Sequence, residues 1–448
     1  MMISKLRLQR ILLISSMSLM TIIYKIQIGS IRNLFLVIFI SALWCLIYWN
    51  RRNLLFHLKY IISLKQKLVS FTIVLFMIMI FMSIVRASVF GFISIQFAIN
   101  LVFTWLTFII LIISLIPSNV EIHSGFHAVK YFLFALHFYI ALNVILHIMG
   151  LSGSMDIYND RYGKALVLGY FGLEMERILF PLAPGITSFG IISGLSFITG
   201  YYFLKRKIYN NKIIAILVII TSFFALITTD SRGAIFSVII TLILISLYTL
   251  SLNNKGKYLV LPIFILLSLF TYNILISIPN FSVMESLSRG EDIASGRTII
   301  WFHTFDFIRD YNLSHLFGYG YMGHVASNLS ERYKYLFFGW DTSTPEKVSL
   351  HNALLQIFID YGYIGTLLFV VILYFSLKYC HRLYKHSKYS PIIAFLSVII
   401  YLSVSGLFSL SYNIYFFHCF IPFLAIVILF SLLPMKIDRQ SFINTSII

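Results

Sequence analysis

The feature that most limits this chain is a series of apolar runs, each near 20 residues and each closed by a polar or basic break. A backbone buried in hydrocarbon must satisfy every N–H and C=O internally, so runs of that length are read as membrane-spanning helices. About twelve can be marked out, at residues 10–28, 31–49, 68–90, 93–116, 126–150, 184–204, 212–229, 233–252, 258–278, 352–377, 391–411 and 415–433. Composition agrees, with 59% hydrophobic and 11% charged residues, against roughly 45–50% and about 25% in soluble domains. The expectation is one polytopic all-α domain over residues 1–448. The first run is read as a retained helix, because no small-residue cleavage site follows it before Lys25.

A net charge of +18 would suggest nucleic acid in a soluble protein, but here it sorts by loop. Arg51, Arg52, Lys59, Lys65 and Lys67 fall in one predicted inner loop, Lys205, Arg206, Lys207 and Lys212 in another. Lys255 and Lys257, then Lys378, Arg382, Lys385 and Lys388, fill two more. Short outer loops hold only Lys25, Arg32, Arg86 and Arg232, so both termini are placed in the cytoplasm and no nucleic-acid partner is expected. Cys45, Cys380 and Cys419 lie in or beside apolar runs with no metal spacing, and neither a metal nor a cofactor is expected.

Two outer segments exceed ordinary connections, residues 151–183 and 279–351. The second, between spans nine and ten, concentrates charge and histidine, which directs function to the outer face. Asp230-Ser231-Arg232-Gly233 opens the eighth span, where Asp230 or Ser231 can cap the helix. Arg232 in the first turn opposes the helix dipole unless an anion sits there, although it can also snorkel to lipid headgroups. Ser295-Gly296-Arg297-Thr298 repeats the pattern, with Ser295 as cap and Trp301, Phe302, Phe305 and Ile308 marking an amphipathic helix against the membrane. Arg289 lies upstream among its own acids, Glu291 and Asp292, and is first a loop ion pair, second a ligand.

His351-Asn352 stands at the start of the tenth span, after Ser349 as candidate cap. Interfacial histidines are commonly structural, yet beside two arginines a base with an ordinary pKa near 6.5 can take a proton that arginine cannot. Phe317-Gly318-Tyr319-Gly320-Tyr321 is a turn that shapes a sugar site or simply packs. Asp360, roughly 12 Å into the tenth span, is a functional suspect or a partner for a neighbouring helix. Arg161, Lys164, Glu174, Glu176 and Arg177 make the first outer segment a second charged patch.

At these residues the sequence resembles the O-antigen ligase and polymerase superfamily of bacterial envelope proteins. The resemblance rests on Thr229-Asp230-Ser231-Arg232-Gly233-Ala234, Ser295-Gly296-Arg297 with Trp301, Leu316-Phe317-Gly318-Tyr319-Gly320, and His351-Asn352-Ala353-Leu354-Leu355 with Tyr361-Gly362 and Gly365. Their order around one long loop, over about residues 185–430, carries more than any one fragment. It implies a GT-C-like membrane glycosyltransferase of the cytoplasmic membrane, acting at its outer face on glycans carried by undecaprenyl diphosphate. Arg232 and Arg297 then hold the diphosphate and His351 acts on the acceptor hydroxyl. Arg177 matches loosely as a further diphosphate ligand, and Arg289, Trp301, Tyr319 and Asn352 complete the expected substrate contacts. Membrane lipids and a chain-length regulator are the partners implied. Polymerase is favoured over ligase on overall composition, and a flippase or other transporter is the reading from a different class.

Overall fold

The computed structural model describes residues 29–62, 67–116, 122–151, 153, 165–209, 211–250, 297–310, 312–337, 348–387, 392–411 and 417–432. The expected spans at 10–28 and 258–278, and the candidate residues Arg161, Lys164, Arg289, Ser295 and Gly296, lie outside these. The described residues are helical, without a strand: α1 (Gly29–Trp49), α2 (Arg51–Ile62), α3 (Lys67–Val89), α4 (Ile95–Leu115) and α5 (Ile122–Ile148) lead into α6 (Leu166–Tyr170). Then follow α7 (Ile186–Lys205), α8 (Lys212–Thr228), α9 (Arg232–Leu250), α10 (Arg297–Arg309), α11 (Ser314–Phe317) and α12 (Gly323–Ala326). The long helix α13 (Ala353–Ser387), α14 (Ile392–Ser405) and α15 (Phe417–Leu432) complete the order.

Every expected span that falls on described residues coincides with a helix, and among the described residues five helices are long and apolar enough to cross a membrane by length and composition: Phe71–Val89, Ile95–Leu115, Val129–Ile148, Ile186–Lys205 and Ala353–His381. Others are shorter apolar helices, so the chain is a multi-pass membrane protein. The run at 391–411 is one such case. Its helix ends at Ser405, and residues 406–411 turn back beneath the start of α13, where Ala353 N donates to Gly406 O at 2.7 Å.

Helix α7 is the centre of the bundle, with most of its residues buried. It can be central because small residues line it. Gly194 leaves room for the Tyr401 ring of α14, whose hydroxyl donates to Ile191 O at 2.9 Å, and Ser196 pairs with Ser222 of α8 at 2.6 Å. A polar residue caps α4 and α8: Ser94 accepts from Phe97 N and Asn211 from Ile213 N.

Helix α13 is broken at Gly362, which has φ 70° and ψ −168°. The break leaves the carbonyls of Ile359 and Asp360 without helical partners in an apolar setting, a cost the fold has to meet from elsewhere. The 317–321 turn meets it. Tyr319 N donates to Ile359 O at 2.8 Å and Gly320 N to Asp360 O at 2.9 Å. On its far side Tyr321 N donates to Ser83 O at 3.0 Å, and the Arg86 guanidinium donates to Gly318 O. A side chain at Gly318 would strike the backbone of Asp360 and Gly362, so this pair of glycines is a matched key and slot. The turn therefore packs into the bundle, and the Tyr319 ring lies against Phe307 and His315, with centroids 5.6 and 5.7 Å away.

Candidate functional site

The segment before α13 folds over one end of the bundle around a small core of its own: Ile300, Trp301, Leu329, Tyr333, Val348, Leu350, Leu355, Phe358 and Ile359. Helix α10 joins it through Ile300 and Trp301, with Phe305 and Ile308 packed against it, so three of the four residues expected on one face share it, while Phe302 is 52% exposed. That face packs on its own segment and on the start of α13. Trp301 Nε1 donates to Leu350 O at 3.0 Å, which makes its ring a strut beside His351.

Arg232 and Arg297 each begin a helix, α9 and α10, and His351 stands two residues before α13. The three come together. Burial, and then the Arg232 charge, lower the Arg297 pKa to about 10, leaving the guanidinium charged at neutral pH. Burial first, then Arg297 and His324, hold the His351 imidazole below its ordinary 6.5. His351 is therefore a neutral ring at neutral pH, able to accept a proton. Two guanidinium groups in one half-buried place repel each other, and an anion between them removes that cost.

Backbone strain marks the same place. Among described non-glycine residues, positive φ occurs at Lys207, Asp230, Met322, Asn328 and His351, and Asp230, Met322 and His351 each lie at or within two residues of a group in this cluster. The Asp230 carboxylate does not cap α9, as the sequence suggested it could. It accepts from Leu166 N at 2.9 Å and Val167 N at 3.0 Å, holding α6. Ser231 takes the cap position, its carbonyl receiving Ala234 N and Ile235 N, and its hydroxyl donating to Thr187 O at 3.5 Å. Gly190 of α7 lies directly against this turn.

Arg177 is buried and its Nε donates to Thr229 O at 2.8 Å, so it braces the turn that presents Arg232. Asn352, not Ser349, caps α13: its Oδ1 accepts from Leu354 N and Leu355 N, both at 3.0 Å, and its Nδ2 donates to Leu407 O at 3.2 Å. Asp360 accepts from Gly323 N and from Gln356 Nε2, both at 2.9 Å. It ties α12 to α13, the partner role that the sequence left open. Three groups here were not singled out from sequence: Arg86 under the turn, and His324 and Gln356 beside His351. Only Gln356 carried a local signal, lying one helical turn before Asp360.

No group of three or more His, Cys, Asp or Glu that could hold a metal occurs among the described residues. Residues 217–370 match the family model described as O-antigen ligase. The matched segment contains Arg232, Arg297 and His351, and the match supports the superfamily resemblance found in the sequence. No curated protein matches the chain.

Proposed function

We propose that the protein is an envelope-glycan polymerase that moves a growing glycan from undecaprenyl diphosphate onto a lipid-linked repeat unit at the outer face of the cytoplasmic membrane. The observation that carries this reading is the meeting of Arg232, Arg297 and His351, from three separate elements, in one cluster. The acceptor hydroxyl oxygen attacks the anomeric carbon and its proton passes to His351. The bond from that carbon to the diphosphate oxygen breaks, and the electron pair leaves with the diphosphate. Negative charge grows on that leaving group, so two fixed guanidinium groups stabilise the transition state more than the ground state. Arginine suits the task because its planar fork grips phosphate oxygens in pairs. Attack from the face opposite the diphosphate inverts the anomeric carbon.

The ligase reading, in which the finished chain moves to lipid A-core, draws on the same residues and on the printed description of the matching family. A flippase needs a charged group at mid-depth to meet its cargo, whereas Asp360 is engaged by Gly323 and Gln356. The deciding experiment is an envelope-glycan gel from a deletion strain complemented with wild type, Arg232→Ala, Arg297→Ala or His351→Ala. A single repeat unit on the core supports a polymerase. Bare core with long lipid-linked chains supports a ligase, and an unchanged ladder in every strain removes both. In the Arg297→Ala strain the lipid-linked donor is expected on the outer face, and its accumulation on the inner face would point to transport.

A further inference from the structure

The first 120 residues contain no Asp or Glu, and Arg51, Arg52, Lys59, Lys65 and Lys67 all fall in the short connection between α1 and α3. Helix α2 fills most of that connection. Asn50 closes α1, its Nδ2 donating to Leu46 O at 2.8 Å, and its carbonyl receives Asn53 N and Leu54 N to begin α2. The new helix is then set down on the end of α4. Asn53 Nδ2 donates to Ser114 O at 3.3 Å and, one turn on, His57 Nε2 donates to Ile116 O at 2.9 Å. Both carbonyls belong to the end of α4, where the helix itself supplies no donor, so one face of α2 is fixed there. The remaining face carries Arg51, Arg52, Leu55, Phe56 and Leu58, all exposed. Tyr48 and Trp49 at the end of α1 are exposed as well, and the Arg51 guanidinium lies 4.3 Å from the centre of the Tyr48 ring. Tyr and Trp collect at membrane–water boundaries, so Arg51 and Arg52 stand at headgroup depth. Helix α3 fixes which boundary this is. It begins at Lys67, and Arg86, about 28 Å further along its axis, reaches the 317–321 turn. That distance is close to the thickness of a hydrocarbon core, so α2 lies across the bilayer from the Arg232 and His351 cluster.

We propose that α2 is a binding site for anionic phospholipid in the leaflet opposite the Arg232 cluster. Arg51 and Arg52 hold the headgroup phosphate, and Leu55, Phe56 and Leu58 lie against the acyl chains. The assignment goes beyond glycosyl transfer and does not depend on it. Water does not suit a face that carries three large apolar side chains, and hydrocarbon does not suit one that carries two guanidinium groups. The boundary between headgroups and acyl chains meets both needs. The lipid is anionic because the sequence around α2 holds no carboxylate to balance its cations, and a negatively charged leaflet supplies that charge. Arginine also grips phosphate oxygens in pairs. An acidic protein would approach from water and leave the apolar side chains at acyl depth unmet.

The test uses the full chain in detergent with a fluorescent phosphatidylglycerol probe, displaced by unlabelled phosphatidylglycerol or phosphatidylcholine. Wild type is expected to bind phosphatidylglycerol at least tenfold more tightly than phosphatidylcholine. Arg51→Gln combined with Arg52→Gln is expected to weaken phosphatidylglycerol binding roughly thirtyfold, about fivefold for each charge lost at the surface. Phosphatidylcholine binding is expected to stay unchanged. Arg51→Lys with Arg52→Lys keeps the charge and is expected to recover most of the loss. Lys205→Gln with Lys212→Gln is the control, removing the same charge from exposed positions where α7 ends and α8 begins, at the same membrane face. It is expected to bind phosphatidylglycerol within about threefold of wild type. Raising the salt to 1 M on the wild type, which screens surface charge within about 3 Å, reads the same loss without a substitution and keeps the test decisive if a variant fails to fold. Equal wild-type affinity for the two lipids would overturn the proposal and leave the patch to an acidic protein. Undiminished phosphatidylglycerol binding in the double Gln variant, or at 1 M salt, would also overturn it. So would an equal loss in the Lys205 and Lys212 control, because attraction would then follow net charge and not α2.

Discussion

Gly190→Ala tests whether the position of the Arg232 turn sets the rate. The added methyl would lie 2.9 Å from both Ser231 Oγ and Thr229 Oγ1, and closer still to Ser231 Cβ. Non-bonded carbons rest about 3.5–4.0 Å apart, and α7 is fixed one turn further along the same face by Tyr401, which packs at Gly194 and donates to Ile191 O. The 229–231 turn therefore has to retreat by about 1 Å, taking Arg232 with it. A displacement of about 1 Å at a reacting group costs on the order of 10²-fold in rate, or about 2.7 kcal/mol. The assay is polymer formation by purified protein in nanodiscs, with thermal unfolding in parallel. Gly200→Ala is the control, since its methyl meets Val218 Cγ1 at 2.9 Å and Ile219 Cγ1 at 3.4 Å on α8, away from the Arg232 turn. A folded Gly190→Ala protein working within about threefold of wild type would refute the reasoning, because a 1 Å shift predicts a far larger loss.

Gly362→Ala places a methyl 2.5 Å from the carbonyl oxygens of His315 and Leu316 at a φ of 70°. It is expected to cost about 3 kcal/mol or more, read as a lowered thermal midpoint. Asp230→Ala removes the acceptor for Leu166 N and Val167 N. Hydrogen bonds to a charged group contribute about 1.5–3 kcal/mol, so faster proteolysis within 165–183 is expected without global unfolding. A further prediction concerns pH. His351 resists protonation in the folded protein, so the acid limb of kcat/KM is expected below pH 6.5, and a limb at or above 6.5 contradicts it. As pH falls below 6.5 the unfolded chain takes up this proton and the folded one does not, so the same group lowers stability on the acid side, measurable by unfolding at pH 5.5 and 7.5.

Local pattern made much of this molecule legible. Apolar run length located the helices, because burial in hydrocarbon forces the backbone into that one form. The placement of Arg232, Arg297 and His351 at or just before helix starts was visible for the same reason, and their proximity was a fair expectation. What stayed hidden depends on residues far apart in the chain. Asp230 looks like the cap of the helix that follows, yet its carboxylate reaches α6, 64 residues upstream of it. Ser349 looks like the cap of α13, but the turn at 406–407 fixes Asn352 in that place. Phe302 falls on the hydrophobic side of a helical wheel and still faces outward, although Trp301, Phe305 and Ile308 of the same side pack on the mini-core. The pairing of Gly318 with Gly362 leaves no periodic trace.

That pairing constrains how the protein is made. The 317–321 turn is held by Ser83 and Arg86 on one side and by the break in α13 on the other, the Arg86 contact alone spanning 232 residues. During synthesis the first holder is already in place when the turn emerges, but the second is not made until about forty residues later. Until then the turn has half its partners, and α13 cannot insert as a finished rod because its carbonyls at 359 and 360 still lack theirs. Docking of the turn and seating of α13 are therefore one concerted step, late in assembly, and the site that sits above them can form only after it.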